Sequence, residues 1–243
     1  MLITFYGTRH GAPEVGRFCS GTLLETGGLS YLIDCGAPVD ALMLNDGKSF
    51  ETLRAIFLTH MHEDHCGNLS AMVKEFGHYH PTSTCRVFFA EESAIEPFLA
   101  WNRAMHHTDD PNRVFYDTAK EGVFFDDGNI RVSGIPSDHI HGFNTFSYRI
   151  ELLREGKRVL FTGDMRGDLA DFPKPAQEEE WDCIVSELTH YHIEQHVEKF
   201  AACRTKQLIF NHKIGYNIDA YPSVKDRLPF PSVVASDGDS FEI

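Results

Sequence analysis

The first sixty residues are dominated by short apolar runs separated by turn signals. Residues 2–6, 19–26 and 30–34 have the composition of β-strands, and the Gly-Gly pair between the last two is typical of a hairpin turn. Residues 54–59 form a further apolar run, of the kind found in strands that are buried on both faces. The pattern therefore predicts that the chain opens with a β-sheet.

An amphipathic helix is predicted directly after the fourth strand. Leu69, Met72, Val73 and Phe76 follow the i, i+3, i+4, i+7 spacing that places apolar side chains on one helical face, which indicates a helix over residues 67–76. A histidine-rich segment lies between this helix and the strand before it. Loops of this kind are where α/β proteins commonly build their sites.

Strands and helices continue to alternate in the rest of the chain. The predicted strands cover residues 86–90, 130–135, 145–153, 158–162, 182–186 and 207–210. The predicted helices cover residues 91–106 and 194–203, and residues 107–122 are polar and irregular. No internal repeat or Gly/Ser linker marks a boundary. We therefore predict one α/β domain over residues 1–243, layered and with mixed sheets.

The charge of the chain changes the expectation for its substrate. The formal net charge is −14 at pH 7, so a long polyanion such as RNA is repelled by the average field of the surface. Binding of nucleic acid is therefore not expected. The six cysteines are scattered without a C-x-x-C pair, and no apolar run is long enough to span a membrane. With an N-terminus that does not resemble a signal peptide, these features favour a cytoplasmic location.

The histidine-rich segment carries the chemistry. His60, His62, Asp64 and His65 place four side chains of metal-ligand type within six residues. Neutral imidazoles and carboxylates are accepted by Zn²⁺ and Fe²⁺. The alternative is a polar surface loop that binds nothing specific. Fixed spacing immediately after a buried strand argues against that alternative.

Further candidate ligands follow later strands. Asp164 comes just after the predicted strand 158–162, and His212 comes just after strand 207–210. Each is a weak signal alone, because a Gly-Asp pair commonly marks a turn and a histidine at a strand end commonly faces water. The segment 135–142 adds two more histidines, His139 and His141.

This ordered series resembles the ligand series of the metallo-β-lactamase superfamily. The opening of the chain resembles its ribonuclease Z and small-phosphodiesterase branch, at Gly7-Thr8, Pro13, Arg17, Ser20 and residues 32–36. The resemblance implies a four-layer αβ/βα sandwich with two mixed sheets. It also implies two divalent transition-metal ions, zinc first, with manganese or iron as alternatives. One ion would be held by His60, His62 and His141, the second by Asp64, His65 and His212, with Asp164 bridging them.

The choice between His141 and His139 rests on spacing. In the ribonuclease Z branch the ligand histidine precedes a Thr by four residues, and Thr145 stands at that distance from His141. His139 fits a different branch, with Gly142 three residues after it. We therefore predict His141 as the ligand and keep His139 as the alternative.

A metal pair would supply a hydroxide nucleophile and polarise the scissile bond. Asp64 could ligate a metal and also orient that hydroxide, which makes it a candidate catalytic residue. His190 and His192 are candidate proton donors to the leaving group, in a segment that resembles the ribonuclease Z proton-donor segment but has Ser186 in place of its first His. The alternative for both histidines is a solvent-exposed position.

The resemblance favours a metal-dependent hydrolase of a small, anionic phosphodiester, as a monomer or a homo-oligomer. Hydrolysis of a carboxylic ester, thioester or lactone is the main alternative, and tRNA processing is disfavoured by the acidic charge. A non-hydrolytic redox protein is disfavoured because diiron members carry Glu at the position of His62. Residues 95–122 are the best candidate for extra substrate contacts, with Trp101, His106 and His107 as lid or pocket residues.

Overall fold

Two mixed sheets of seven strands each form the framework of the protein in a computed structural model that describes residues 1–12, 14–80, 82–107 and 110–243. The chain divides into two compact units, each built on one sheet. Unit 1 comprises Met1–Gly7, Gly11–Ala119 and Asp237–Glu242, and unit 2 comprises Thr8–His10, Lys120–Ser236 and Ile243. Pro13, part of the resemblance at the start of the chain, lies outside the described residues.

The sheet of unit 1 is antiparallel on one side and parallel on the other. In sheet order its strands are β14 (Ser240–Glu242), β1 (Leu2–Gly7), β2 (Gly21–Thr26), β3 (Leu29–Ile33), β4 (Leu53–Phe57), β5 (Cys85–Phe89) and β6 (Val114–Thr118). The strands from β14 to β3 pair antiparallel, and those from β3 to β6 pair parallel. Parallel strands end at a common edge, and at β4 that edge leads directly into the histidine-rich segment.

The helices of unit 1 are short. They are α1 (Val39–Asn45), α2 (Glu63–Cys66), α3 (Leu69–Lys74), which continues into a π-helical turn at Glu75–Tyr79, and α4 (Ile95–Ala104). The apolar face of α3 buries Leu69, Met72 and Val73 in a core shared with β-strand residues such as Leu32 and Ile56. Burial of this face, rather than intrinsic propensity, explains why a six-residue helix is stable here.

The sheet of unit 2 follows the same plan. In sheet order its strands are β13 (Ser232–Val234), β12 (Leu208–Lys213), β11 (Cys183–Leu188), β10 (Lys157–Phe161), β9 (Thr145–Leu152), β8 (Ile130–Ser137) and β7 (Gly122–Asp126). The strands from β7 to β10 pair antiparallel, and those from β10 to β13 pair parallel. The carboxyl ends of β8, β10, β11 and β12 therefore share one edge.

Three helices complete unit 2. They are α5 (Pro175–Glu178), α6 (Val197–Ala201) and α7 (Gly215–Lys225). Their buried side chains join a core that includes Trp181, Phe200 and Phe210. Among the helices of the described residues, none combines the length and apolar character that crossing a bilayer requires.

The predicted α/β fold with two mixed sheets is confirmed, and several elements differ from the prediction. The helices α1, α5 and α7 and the strands β7, β13 and β14 were not predicted. The helix after β4 begins earlier than predicted, so Asp64 and His65 lie on α2 rather than in a loop. Within residues 107–122, predicted to be irregular, β6 (Val114–Thr118) pairs parallel with β5, because its Val-Phe-Tyr start suits a sheet. The single domain predicted for residues 1–243 stays a prediction.

Candidate metal centre

The four predicted ligands of unit 1 come together just beyond β4. His60 is buried, and its Nε2 lies 2.9 Å from Nδ1 of His62. The His60 and His65 rings are 4.1 Å apart between centroids. His65 Nε2 lies 3.5 Å from Oδ2 of Asp64. These contacts place imidazole nitrogens and a carboxylate of this segment side by side, as a metal ligand set requires.

The short helix α2 explains how adjacent residues converge. The carbonyl of His62 accepts hydrogen bonds from the backbone N–H of His65, at 3.0 Å, and of Cys66, at 3.1 Å. The tight turn carries Asp64 and His65 back toward the histidines that precede it, and both side chains are buried. Burial raises the pKa of the Cys66 thiol to about 11, and its Sγ faces the Met61 carbonyl at 3.5 Å, which is typical of a packed thiol rather than a nucleophile.

A buried carboxylate, Asp34, supports this ligand set from the end of β3. It accepts hydrogen bonds from the Thr59 N–H at 2.8 Å and from the Thr59 hydroxyl at 3.0 Å. His65 Nδ1 lies 2.8 Å from its Oδ2. Because Thr59 gives its one hydroxyl proton to Asp34, its oxygen accepts from His60 Nδ1 at 3.1 Å. Asp34 thus orients His65 directly and His60 through Thr59.

The sequence reasoning missed this role of Asp34. The residue belongs to the 32–36 segment of the resemblance, which was the one signal that pointed to it. Asp34 has a φ of 61°, a left-handed conformation that non-glycine residues adopt rarely and that is concentrated at functional sites.

A close backbone approach fixes the loop after β3 against α2. Cys35 N donates to the His65 carbonyl at 2.6 Å, and Asn68 N donates to the Cys35 carbonyl at 2.9 Å. A Cβ atom on Gly36 would lie 2.2 Å from the Asp64 carbonyl oxygen, so the approach requires glycine at this position.

In unit 2 the candidate ligands converge on Asp164, which follows β10. His139 Nε2 and His190 Nδ1 each lie 3.8 Å from its Oδ2, and His212 Nδ1 lies 3.5 Å from its Oδ1. His139 follows β8, His190 follows β11, and His212 lies near the end of β12, all at the shared sheet edge. Asp164, Glu187, His190 and His212 each offer a ligand atom within 4.8 Å of the others. The set suits a divalent transition metal.

His212 reaches this position through an unusual backbone. Its φ is 43°, in the left-handed region, and its carbonyl accepts a hydrogen bond from the Thr189 hydroxyl. The side chain is buried, and the register of β12 against β11 shifts at this point. Strain of this kind persists where surrounding contacts enforce it, which is common at ligand-holding positions.

The structure favours His139 over the predicted ligand His141. His139 has a side chain that is 9% exposed and faces Asp164, with its Nδ1 donating to the Met165 carbonyl at 3.2 Å. His141 has a side chain that is 99% exposed, and its Nδ1 lies 3.8 Å from Oδ1 of Asp138. Although the two histidines are only two residues apart, one side chain is nearly buried and the other is exposed to solvent.

The two predicted proton donors are in different environments. His190 lies in the Asp164 cluster, whereas His192 is exposed and packs its ring on Tyr216, with centroids 4.8 Å apart. The structure therefore places His190 in the Asp164 cluster and His192 at the surface.

Glu187 holds His190 in place. Its Oε2 accepts from Nδ1 of His190 at 2.8 Å and from the backbone N–H of His190 at 3.0 Å. The same carboxylate accepts from the N–H groups of Met165 and Thr189. With both oxygens engaged by N–H donors, Glu187 acts better as an orienting group than as a metal ligand. The sequence analysis assigned Glu187 no role.

An open cleft of about 450 Å³ adjoins this cluster in unit 2. It is lined by His139, Met165, Arg166, Gly167, Asp168 and His190. Its volume lies within the range that small-molecule pockets usually have.

The predicted lid residues belong to unit 1. Trp101 lies on α4 and is 61% exposed, and His106 follows the helix with a φ of 61°. His107 N donates to the Asn102 carbonyl at 3.0 Å. Thr108 and Asp109 lie outside the described residues. A role of these residues as a lid stays a prediction.

Comparison with known proteins agrees with the fold. The metallo-β-lactamase fold protein YhfI from Bacillus subtilis has a TM-score of 0.80 at 19% identity, over 100% of this chain and 99% of that one. A diphosphatase of the PhnP family has a TM-score of 0.74 at 18% identity, over 100% and 97%. At these identities the likeness shows the fold alone. The protein has the metallo-β-lactamase fold.

Sequence comparison identifies the family within this fold. A ribonuclease Z of Mycobacterium sp. (strain KMS) is 29% identical over 174 residues, which are 67% of this chain and 60% of the relative. The chain therefore spans about 60% of the length of the curated relatives it matches first. The family model described as anti-Pycsar protein Apyc1 matches residues 1–204. The chain belongs to the anti-Pycsar protein Apyc1 family, within the metallo-β-lactamase superfamily.

Proposed function

We propose that the protein is a metal-dependent hydrolase that holds two divalent ions and acts on a small phosphodiester. The observation that carries the proposal is the convergence of His139, His190 and His212 on Asp164 at one sheet edge. The second ligand-type cluster, His60 to His65, supports it. Clusters of buried imidazole and carboxylate at the ends of parallel strands are well suited to metal binding.

The ligand assignment follows the resemblance, with His139 in place of His141. One ion would be held by His60, His62 and His139, the other by Asp64, His65 and His212, with Asp164 as the bridging ligand. The nitrogen-rich first set favours zinc.

Two bound cations would supply an activated water and polarise the phosphoryl oxygen. The residues of the chain supply the remaining steps. Asp34 and Thr59 keep Nδ1 of His65 and His60 occupied, which turns the Nε2 nitrogens toward the site. Asp64 orients the attacking water. Glu187 holds His190, whose ring gives a proton to the leaving oxygen.

A small phosphodiester is favoured over RNA, although the first relatives are named ribonuclease Z. Both arginines within residues 95–122 are already paired with acidic neighbours. Arg103 lies 2.5 Å from Glu96, and Arg113 lies 3.1 Å from Asp110. With a net charge of −14, few basic groups remain for phosphate contacts along a polynucleotide. One structural neighbour is named as a diphosphatase of the PhnP family.

The second candidate function, hydrolysis of a carboxylic ester, thioester or lactone, uses the same centre. The metals and His190 would serve an acyl substrate equally well, so the substrate panel below decides between the two. The cytoplasmic location inferred from the sequence, in which the cysteines form no C-x-x-C pair, remains part of the proposal.

A substrate panel tests the proposal. Metal-free protein is reconstituted with Zn²⁺ or Mn²⁺ and assayed with bis-p-nitrophenyl phosphate, p-nitrophenyl acetate, an acyl thioester and a precursor tRNA at near-physiological salt. We expect metal-dependent turnover of the phosphodiester above that of the other three, abolished in Asp164→Asn and retained in His141→Ala. Preferred hydrolysis of the acyl substrates would support the second candidate, and site-specific tRNA cleavage would overturn the small-substrate proposal.

A further inference from the structure

A group of acidic side chains converges on one arginine beside the Asp164 cluster. Arg166 Nε and Nη2 each lie 2.9 Å from an oxygen of Asp168, and Nη1 lies 2.7 Å from Oδ2 of Asp138. The bidentate pairing lowers the pKa of Asp168 to about 2 and raises that of Arg166. None of these residues is a predicted ligand.

A third carboxylate, Asp171, binds backbone rather than side chain. Its oxygens accept from the N–H of Arg166 at 3.0 and 3.2 Å, and Oδ2 also accepts from the N–H of Asp138 at 3.0 Å. One side chain thus joins two separate segments of chain. The first follows β8 and the second follows β10.

These two segments carry the ligands. Asp138 immediately precedes His139, and Arg166 stands two residues after Asp164. The carbonyl of the intervening Met165 accepts from Nδ1 of His139. The loop that carries Asp171 is itself anchored, because Leu169 is fully buried and its carbonyl accepts from Lys199 Nζ at 2.7 Å.

We infer that Asp171 is a positioning residue that fixes His139 against Asp164 for metal binding, and that the Arg166 guanidinium links the same two segments a second time through Asp138. Because one carboxylate binds a backbone N–H group from each loop, it fixes the position of the two loops relative to each other. The Met165 carbonyl then sets the rotation of the His139 ring, so that its Nε2 faces Asp164 at 3.8 Å. The inference rests on the metal centre of the proposed function and not on its substrate.

The test is a metal titration of four proteins: wild type, Asp171→Ala, His139→Ala and the double variant. Each is stripped of metal and titrated with Zn²⁺ against a chromophoric chelator. In Asp171→Ala we expect one of two ions to bind about 10–100-fold more weakly, the usual cost of losing an outer group that orients a ligand. In the His139→Ala background, the second substitution should add little, because it acts through the side chain that is already absent.

Controls separate positioning from general stability. Asp182 also accepts a backbone N–H, from Arg158 at 2.8 Å at the other end of β10, so Asp182→Ala should leave both zinc affinities unchanged. Asp171→Asn is the second variant in case Asp171→Ala folds poorly. It keeps one carbonyl acceptor and the side-chain volume, so its zinc affinity should lie between those of wild type and Asp171→Ala. Thermal melting of the metal-free proteins reports folding independently of the metal.

The outcomes are distinct. Wild-type zinc affinity in Asp171→Ala and Asp171→Asn would overturn the inference alone. Equal losses with and without His139 would also overturn it, since the effect would then not pass through His139. A wild-type protein that binds no zinc would overturn the proposed function together with the inference.

Discussion

His65 Nδ1 lies 2.8 Å from Oδ2 of Asp34, and both side chains are buried. A carboxylate at this distance accepts a hydrogen bond from Nδ1–H, so the ring proton stays on Nδ1 and the lone pair of the ring is on Nε2. The same carboxylate reaches His60 through the Thr59 hydroxyl. One aspartate therefore sets the tautomer and the orientation of two candidate ligands.

The first prediction concerns this aspartate. Asp34→Asn replaces one acceptor oxygen by a donor, so its bonds to Thr59 and His65 can no longer all form. We expect zinc affinity about 10–100-fold lower, measured by chelator competition. Asp40→Asn is the matched control, because Asp40 accepts the Ala41 N–H within its own helix and lies outside the cluster. Unchanged zinc affinity in Asp34→Asn would show that Asp34 does not orient the ligands.

The second prediction separates two histidines of the same loop. His139→Ala should lose one of two bound ions and nearly all metal-dependent activity, because the Nε2 near Asp164 is removed. His141→Ala should keep both ions and wild-type rates, because its side chain is exposed. Elemental analysis of the dialysed proteins measures the difference. Loss of an ion in His141→Ala but not in His139→Ala would show that His141 is the ligand.

The third prediction concerns the proton donor. His190→Ala should keep its metal content, and it should lose more rate with an alkyl leaving group than with nitrophenolate, which needs no proton. His192→Ala is the neighbouring control and should be close to wild type with both substrates, since its ring packs on Tyr216 at the surface. Equal rate losses for both leaving groups would assign His190 a binding role instead.

The fourth prediction concerns the close backbone approach at Gly36. Gly36→Ala places a methyl group 2.2 Å from the Asp64 carbonyl, so the loop or α2 must shift. We expect a loss of about 1–3 kcal/mol in unfolding free energy, together with weaker metal binding. Gly215→Ala serves as control, because nothing lies within 4 Å of its Cβ position at the start of α7. Denaturant unfolding that shows equal stability for the two variants would contradict this account.

Much of the candidate site could be predicted because its residues follow local signals. Asp164 and His212 each come after an apolar strand, and the parallel pairing of β10, β11 and β12 brings strand ends to one edge. The segment from His60 to His65 has its spacing written in six consecutive residues. Where a candidate ligand stands at the end of a strand, the strand pattern and the parallel direction of the strands are enough to predict its position.

The remaining features depend on packing between distant parts of the chain. His139 and His141 are two residues apart, and the Asp138 N–H just before them donates to Asp171, about thirty residues later. Asp34 and Glu187 each contact a residue far away in the sequence. Asp34 contacts His65, 31 residues later, and Glu187 accepts from the N–H of Met165, 22 residues earlier. The strand β6 was not predicted because its short apolar run lies between polar residues. Its pairing with β5 becomes visible only in the folded chain.

Metal content tests the central claim most directly. Protein purified without chelator, supplemented with Zn²⁺ and then dialysed, is analysed for transition metals beside Asp164→Ala treated in the same way. The account predicts close to two ions per wild-type chain and a clear loss in the variant, because Asp164 is the carboxylate on which three histidines converge. A wild-type content near zero after supplementation, or equal content in both proteins, would contradict it.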